Sequence, residues 1–137
     1  WRARCYLRSG QRNATEKALR DFAEAIRLEP GYLDAYLTRA EFYESQREWD
    51  RAITDYDIIT TKIQPDEARY YLKKAQIKEQ MGLTRQAVAD YDKALSLAPG
   101  NPLYHLQKGL LERRNGDRQA AVTSFTRALA LNVTYTE

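Results

Sequence analysis

Gln86-Ala-Val-Ala-Asp-Tyr91 returns three more times along the chain in altered form. Its counterparts are Lys17-Ala-Leu-Arg-Asp-Phe22, Arg51-Ala-Ile-Thr-Asp-Tyr56 and Ala120-Ala-Val-Thr-Ser-Phe125. The alanines fall at Ala18, Ala52, Ala87 and Ala121, spaced 34, 35 and 34 residues apart. A second small slot lies three residues past each aromatic, at Ala25, Ile59, Ala94 and Ala128. Upstream, a basic residue followed by a small one recurs at Arg2-Ala3, Arg39-Ala40, Lys74-Ala75 and Lys108-Gly109. Prolines close the first and third copies at Pro30 and Pro99, one comes a residue late in the second at Pro65, and the fourth has none. A fixed period of this kind marks stacked repeats, because one such unit cannot bury its apolar face alone.

Within each copy the apolar residues recur at helical spacing, as with Leu19, Phe22 and Ile26 or Val122, Phe125 and Leu129. Breaks fall at Pro30-Gly31, Gly82, Pro99-Gly100-Asn101-Pro102 and Asn115-Gly116. Asn101 followed by Pro102 is an N-cap and then a ring preset for the first helical turn. The spacing predicts inner helices near 33–46, 67–81 and 102–115, and outer helices near 15–28, 50–63, 84–97 and 118–131. Of the first inner helix only the last turns are expected, about residues 1–9. The chain then divides into repeats 1–30 (truncated at its start), 31–66, 67–100 and 101–131, with 132–137 as a tail. Two helices approach closely only where side chains are short, so Ala40 should meet Ala52, and Ala75 should meet Ala87.

Small, small, aromatic, small and proline at these intervals resembles the tetratricopeptide repeat, and the resemblance runs from residue 1 to about 131. It implies an all-α fold, a right-handed α-solenoid of antiparallel helix pairs forming a TPR-like superhelix. It also implies protein–protein recognition or scaffolding, with inner helices lining a concave groove that holds an extended peptide or a partner helix. Carried over by alignment, the groove residues are Arg4, Leu7 and Arg8 from repeat one and Asp34, Leu37, Thr38, Glu41, Glu44 and Ser45 from repeat two. Repeat three offers Arg69, Leu72, Lys73, Gln76, Glu79 and Gln80, and repeat four offers Leu103, Leu106, Gln107, Leu110, Arg113 and Arg114. Leu37, Leu72 and Leu106 occupy equivalent slots. They either form an apolar line along the groove, joined by Leu103 and Leu110, or pack inner helix against inner helix. The groove charge is graded, acidic at repeat two and basic at repeats three and four. Arg69 and Lys73 resemble part of the clamp with which some family members hold the C-terminal carboxylate of heat-shock chaperones, but Thr38 stands where that clamp has Asn.

Three departures from a regular array are visible. Repeat one carries three extra residues between its helices, expected as a loop from Ser9 to Thr15. Repeat two is one residue longer and places Ile59 at a small-residue slot, within Ile58-Ile59-Thr60-Thr61. This β-branched run is a poor helix former and should displace the next repeat or lengthen the helix locally. The outer face of 118–131 is partly apolar and should be exposed, so either more repeats follow or this end contacts something, for instance another copy. The second function class follows from this: a structural spacer that self-associates through exposed repeat ends.

Composition excludes several other classes. Ten tyrosines stand against three phenylalanines, as suits a thin structure whose rings are packed while their hydroxyls reach water. The net charge of +3 is spread over 22 basic and 19 acidic residues, with no continuous basic stripe, so nucleic acid is not an expected partner. No apolar run approaches the roughly 20 residues a membrane span requires. Cys5 and His105 are each the only residue of their type, which rules out an internal disulfide and leaves no triad or metal set to complete. His105 takes the slot of Tyr36 and Tyr71 and is expected to pack. No enzyme, catalytic residue, metal or cofactor is expected. The first residue is Trp1, so a soluble segment of a larger protein is expected, with the cytoplasm favoured over a periplasmic or secretory setting. Sequons at Asn13 and Asn132 leave the compartment open.

Overall fold

The computed structural model describes residues 12–134, with side chains described over 15–132. Seven α-helices follow one another among the described residues: α1 (Arg12–Leu28), α2 (Leu33–Ser45), α3 (Trp49–Ile58), α4 (Ala68–Gln80), α5 (Thr84–Leu97), α6 (Pro102–Arg114) and α7 (Arg118–Thr134). A π turn, Ile59–Ile63, continues α3. The chain forms two compact units, residues 1–65 and 66–137. The first contains α1 to α3 and the π turn, the second α4 to α7, and sequential helices pack as pairs, α2 on α3, α4 on α5 and α6 on α7. The expected all-α class is the class found, and the helix ends lie within a few residues of those the spacing predicts. One boundary differs: Arg12 to Thr15 are helical rather than part of a loop, since no proline or glycine in that stretch stops the helix. The remnant inner helix at 1–9, with Arg4 and Cys5, lies outside the described residues.

Each inner helix of the last three repeats ends in the same motif. The amide of residue 48 bonds to the Tyr43 carbonyl at 2.9 Å and that of residue 47 to Glu44 at 3.0 Å. Leu83 and Gly82 repeat this on Lys78 and Glu79, and Asp117 and Gly116 repeat it on Glu112 and Arg113. This paired capping requires a left-handed residue, normally glycine. Gly82 (φ 75°) and Gly116 (φ 87°) meet the requirement, but the second repeat puts Arg47 there at φ 57°. A left-handed non-glycine residue is strained by roughly 1–2 kcal/mol, partly offset by the entropy glycine loses on folding. Arg47→Gly should therefore raise the denaturant midpoint of the first unit, by about 0.5–1 kcal/mol of stability.

The extra residue of repeat two is absorbed at the π turn, where the Gln64 amide bonds to the Ile59 carbonyl five residues back at 2.7 Å. Ile59 is fully buried. The Thr60 hydroxyl donates to the Tyr56 carbonyl at 3.0 Å and the Thr61 hydroxyl to Asp57 at 2.6 Å, serving carbonyls that a widened turn loosens. The predicted local lengthening takes this form.

The repeated small and aromatic slots make the core. Ala18, Ala52, Ala87 and Ala121 are buried, as are Phe22, Tyr56 and Tyr91. In the first unit Ala18, Phe22 and Phe42 cluster, with Leu19 and Tyr43 against them. In the second, Ala75 and Ala87 meet as expected and share a cluster with Tyr91 and Leu111, while Ala68, Tyr71, Ala94, Leu95 and Tyr104 form another. Tyr104 and Leu111 lie seven residues apart on α6 and seat it on the preceding pair. Gly109 is needed for close approach: a Cβ there would stand 2.8 Å from the Phe125 ring and 3.2 Å from Ser124 Cβ.

Candidate protein-binding face

A polar tie joins inner to outer helix in each of the last three repeats, and its members change together. In repeat two the Arg39 guanidinium donates from Nε (2.9 Å) and Nη2 (2.5 Å) to the two oxygens of buried Asp55, which hold its pKa above the ordinary value. In repeat three the equivalent Asp90 takes Lys78 at 2.6 Å. In repeat four that slot is Ser124, whose hydroxyl donates to Glu112 at 2.7 Å. Lys108 then serves Glu112 at 3.5 Å and Asp92 of the preceding pair at 2.6 Å. Burial works against the Lys108 charge, but hydrogen bonds to Asp92 and Glu112 prevail and raise its pKa.

A second tie reaches the inner face. The Tyr56 hydroxyl donates to Glu44 at 2.7 Å, and one repeat on, Tyr91 donates to Glu79, which also receives Arg114 from α6. Burial, reinforced by the Glu79 carboxylate, pushes the Tyr91 hydroxyl well above its ordinary pKa, so it stays a donor. In repeat four both partners are exchanged, to Phe125 and Arg113.

Around this tie a pocket of about 170 Å³ opens between α4 and α6, lined by Gln76, Glu79, Tyr91, Gln107, Leu110 and Arg114. Five of the six, Gln76, Glu79, Gln107, Leu110 and Arg114, are residues the alignment placed in a groove. Gln107 Oε1 is buried and has no hydrogen-bond partner among the described residues. Arg69, Lys73 and Arg113 are exposed on the same two inner helices, Arg69 with its guanidinium 5.0 Å over the Tyr70 ring and 3.9 Å from Glu67. The neighbouring Lys74 is buried, so the Lys73-Lys74 pair presents one charge to solvent.

The remaining aligned residues are distributed differently. In the first unit Asp34 and Glu41 are exposed and Leu37 is half-buried, while Thr38 is only 5% exposed and has little surface to offer a ligand. Leu72 is half-buried and packs against both core clusters of the second unit, which favours the packing role for its slot. Leu103 and Leu106 turn to a different cavity, of about 490 Å³, with Phe125, Ala128 and Leu129. Glu79 is among the aligned groove residues, but the groove alignment does not show Tyr91 or its tie to Glu79. The signal was present in the joint exchange of Tyr and Glu for Phe and Arg one repeat later.

His105 is half-buried with Nε2 3.1 Å from the Pro99 carbonyl. Among the described residues no group of His, Cys, Asp and Glu is arranged to hold a metal, and no helix is long and apolar enough to cross a membrane.

Family models described as tetratricopeptide repeat match residues 2–68 and 68–101. Among curated proteins the chain is similar to DnaJ homolog subfamily C member 7 of Mus musculus, 29% identical over 99 residues. The Homo sapiens protein of the same name is 28% identical over 99 residues. These matches cover 69% of this chain but only 19% of either relative's length. Among solved structures, a crystal structure of MamA superposes with a TM-score of 0.79 at 22% identity, covering 98% of this chain and 76% of that one. MamA 41-end from Desulfovibrio magneticus RS-1 gives 0.74 at 19% identity, covering 87% and 67%. At these identities the likeness shows the fold, an α-solenoid of helix pairs.

Proposed function

The chain belongs to the tetratricopeptide-repeat family, and on that premise we propose that it is a protein–protein interaction scaffold whose second unit holds an acidic peptide or partner helix on its inner helices. The observation that carries this reading is the pocket between α4 and α6, where Gln76, Gln107, Leu110 and Arg114 converge around an uncommitted buried acceptor. A buried polar atom without a partner is costly, and Gln107 Oε1 would take an N–H from an extended backbone. Leu110 would cover an apolar partner side chain. Arg69, Lys73, Arg113 and Arg114 would receive carboxylates, which suit forked or multiple donors. The partner is a protein rather than a nucleic acid, because Glu79 sits in the same pocket and would repel phosphate.

The test is affinity capture from source lysate with mass spectrometry, using the wild-type chain beside an Arg69→Glu, Lys73→Glu double variant. Both side chains are exposed, so helicity should be unchanged. The expected result is a partner retained by the wild type and lost by the variant; an identical set from both contradicts the inner-face reading. A second reading, a spacer that self-associates through a repeat end, is favoured by one observation, the exposure of Val122 and Leu129 on α7. It predicts instead that assembly depends on those two residues and ignores Arg69 and Lys73.

A further inference from the structure

Four exposed cations, Arg69, Lys73, Arg113 and Arg114, lie on α4 and α6. Among the described residues only Arg114 of these is tied to a carboxylate on another helix, through Nη2 to Glu79 Oε2. Glu79 is fixed from its other side as well. Its Oε1 takes the Tyr91 hydroxyl, so both oxygens are committed and the tie spans α4, α5 and α6. The Glu79 side chain is 14% exposed and that of Arg114 63%. The carboxylate is thus enclosed and pinned, while the guanidinium reaches solvent beside the pocket that both residues line. A guanidinium is a rigid fork of five N–H groups, and the contact with Glu79 leaves one two-pronged edge of it for a ligand. Repeat two shows the same pin without a cation: Glu44 takes the Tyr56 hydroxyl at 2.7 Å and, among the described residues, no arginine or lysine. The pin is therefore complete without Arg114, and the arginine is an addition directed at the surface.

We propose that Tyr91 and Glu79 are positioning residues for the acidic ligand: Tyr91 pins Glu79, Glu79 aims Arg114, and the free edge of the guanidinium takes a partner carboxylate through two N–H groups. This rests on the inner-face reading above and assigns the orienting part of that site. If the face needed only positive charge, Glu79 would work against it, since its charge opposes an incoming carboxylate. As a support it has a use, because an arginine that is already ordered loses less freedom when it binds. Arg69 lacks such a support, its nearest carboxylate being Glu67 at 3.9 Å on its own helix start. Arg69 and Lys73 then attract acidic segments in general, and Arg114 fixes where one carboxylate sits. Tyr91 never touches the ligand in this arrangement and acts through Glu79 alone.

The test is a double-mutant cycle of Tyr91→Phe with Arg114→Gln. The probe is a fluorescein-labelled glutamate-rich peptide with one central leucine, titrated into the full chain by fluorescence polarisation. Tyr91→Phe changes no charge, and the fourth repeat already carries Phe125 at this slot, so the variant should fold, which circular dichroism checks. Alone it should weaken binding by about three- to tenfold, the effect of leaving one long side chain to be ordered by the ligand. In the Arg114→Gln background it should have no further effect, whereas a general loosening of the helices would weaken binding in both backgrounds. NMR of the arginine guanidinium groups in the free chain should show Arg114 restrained in the wild type and released by Tyr91→Phe. A peptide that needs Arg69 and Lys73 but ignores Tyr91→Phe overturns the positioning role and leaves the inner-face reading standing. So does an effect of Tyr91→Phe that persists without Arg114. A peptide that fails to bind the wild type, or that binds Arg69→Glu, Lys73→Glu equally well, contradicts the inner-face reading and overturns this proposal with it.

Discussion

Arg39→Met should destabilise the first unit by about 3–5 kcal/mol, the cost of leaving a buried carboxylate without its partner. Asp55 is almost wholly buried, and both of its oxygens are held by Arg39, whose own side chain is mostly covered. Removing the guanidinium leaves a charge with neither water nor a donor, whereas the Arg39→Met, Asp55→Leu double variant removes the charge as well. Replacing such a pair by apolar groups is often near neutral. The double variant should therefore recover most of the lost stability in chemical denaturation. Equal damage from the single and double variants would show that packing, not the uncompensated charge, sets the cost.

Tyr91→Ala should cost the second unit about 3–5 kcal/mol, the range for deleting a buried large ring. The ring sits at the centre of the cluster with Ala75, Ala87 and Leu111. Tyr91→Phe should cost only about 1 kcal/mol, one hydrogen bond, because Glu79 keeps Arg114. The fourth repeat already uses Phe125 at this slot. The hydroxyl also has a pH signature. Its pKa is raised by folding, so the folded state holds its proton more tightly than the unfolded chain. That contribution is complete below about pH 10, the ordinary tyrosine value, and is lost as pH rises through the folded value. Urea titrations above pH 10 should show a shallower loss of stability for Tyr91→Phe than for wild type. Equal slopes would mean that other groups carry the alkaline dependence.

The fold was legible because its determinants are local and repeated. Ala87 and Tyr91, read against three other copies, identify a helix face without any tertiary information, and Gly82 and Gly116 mark the turns. Arg47 was silent because a left-handed arginine carries no compositional signature, only its alignment to two glycines. The π turn was half legible: the extra residue and the β-branched run at Ile59 located the irregularity, but several backbone solutions could have absorbed it. Alignment could place Leu72, Leu106 and Thr38 on inner helices, but not tell whether each faces a ligand or a neighbouring helix. That depends on rotations of a few tens of degrees that spacing does not resolve. Tyr91 and Glu79 form their tie across two helices, and only paired exchange between copies could have revealed it.

The most direct test of the inner-face claim is selection of random peptides from a display library on the wild-type chain, followed by affinity measurement on wild type and on Arg69→Glu, Lys73→Glu. Acidic peptides should be enriched, and their affinity for the variant should fall by about thirtyfold or more, as expected when attraction is replaced by like-charge repulsion. Enrichment of neutral or basic peptides, or equal affinity for both chains, would contradict binding on the inner helices.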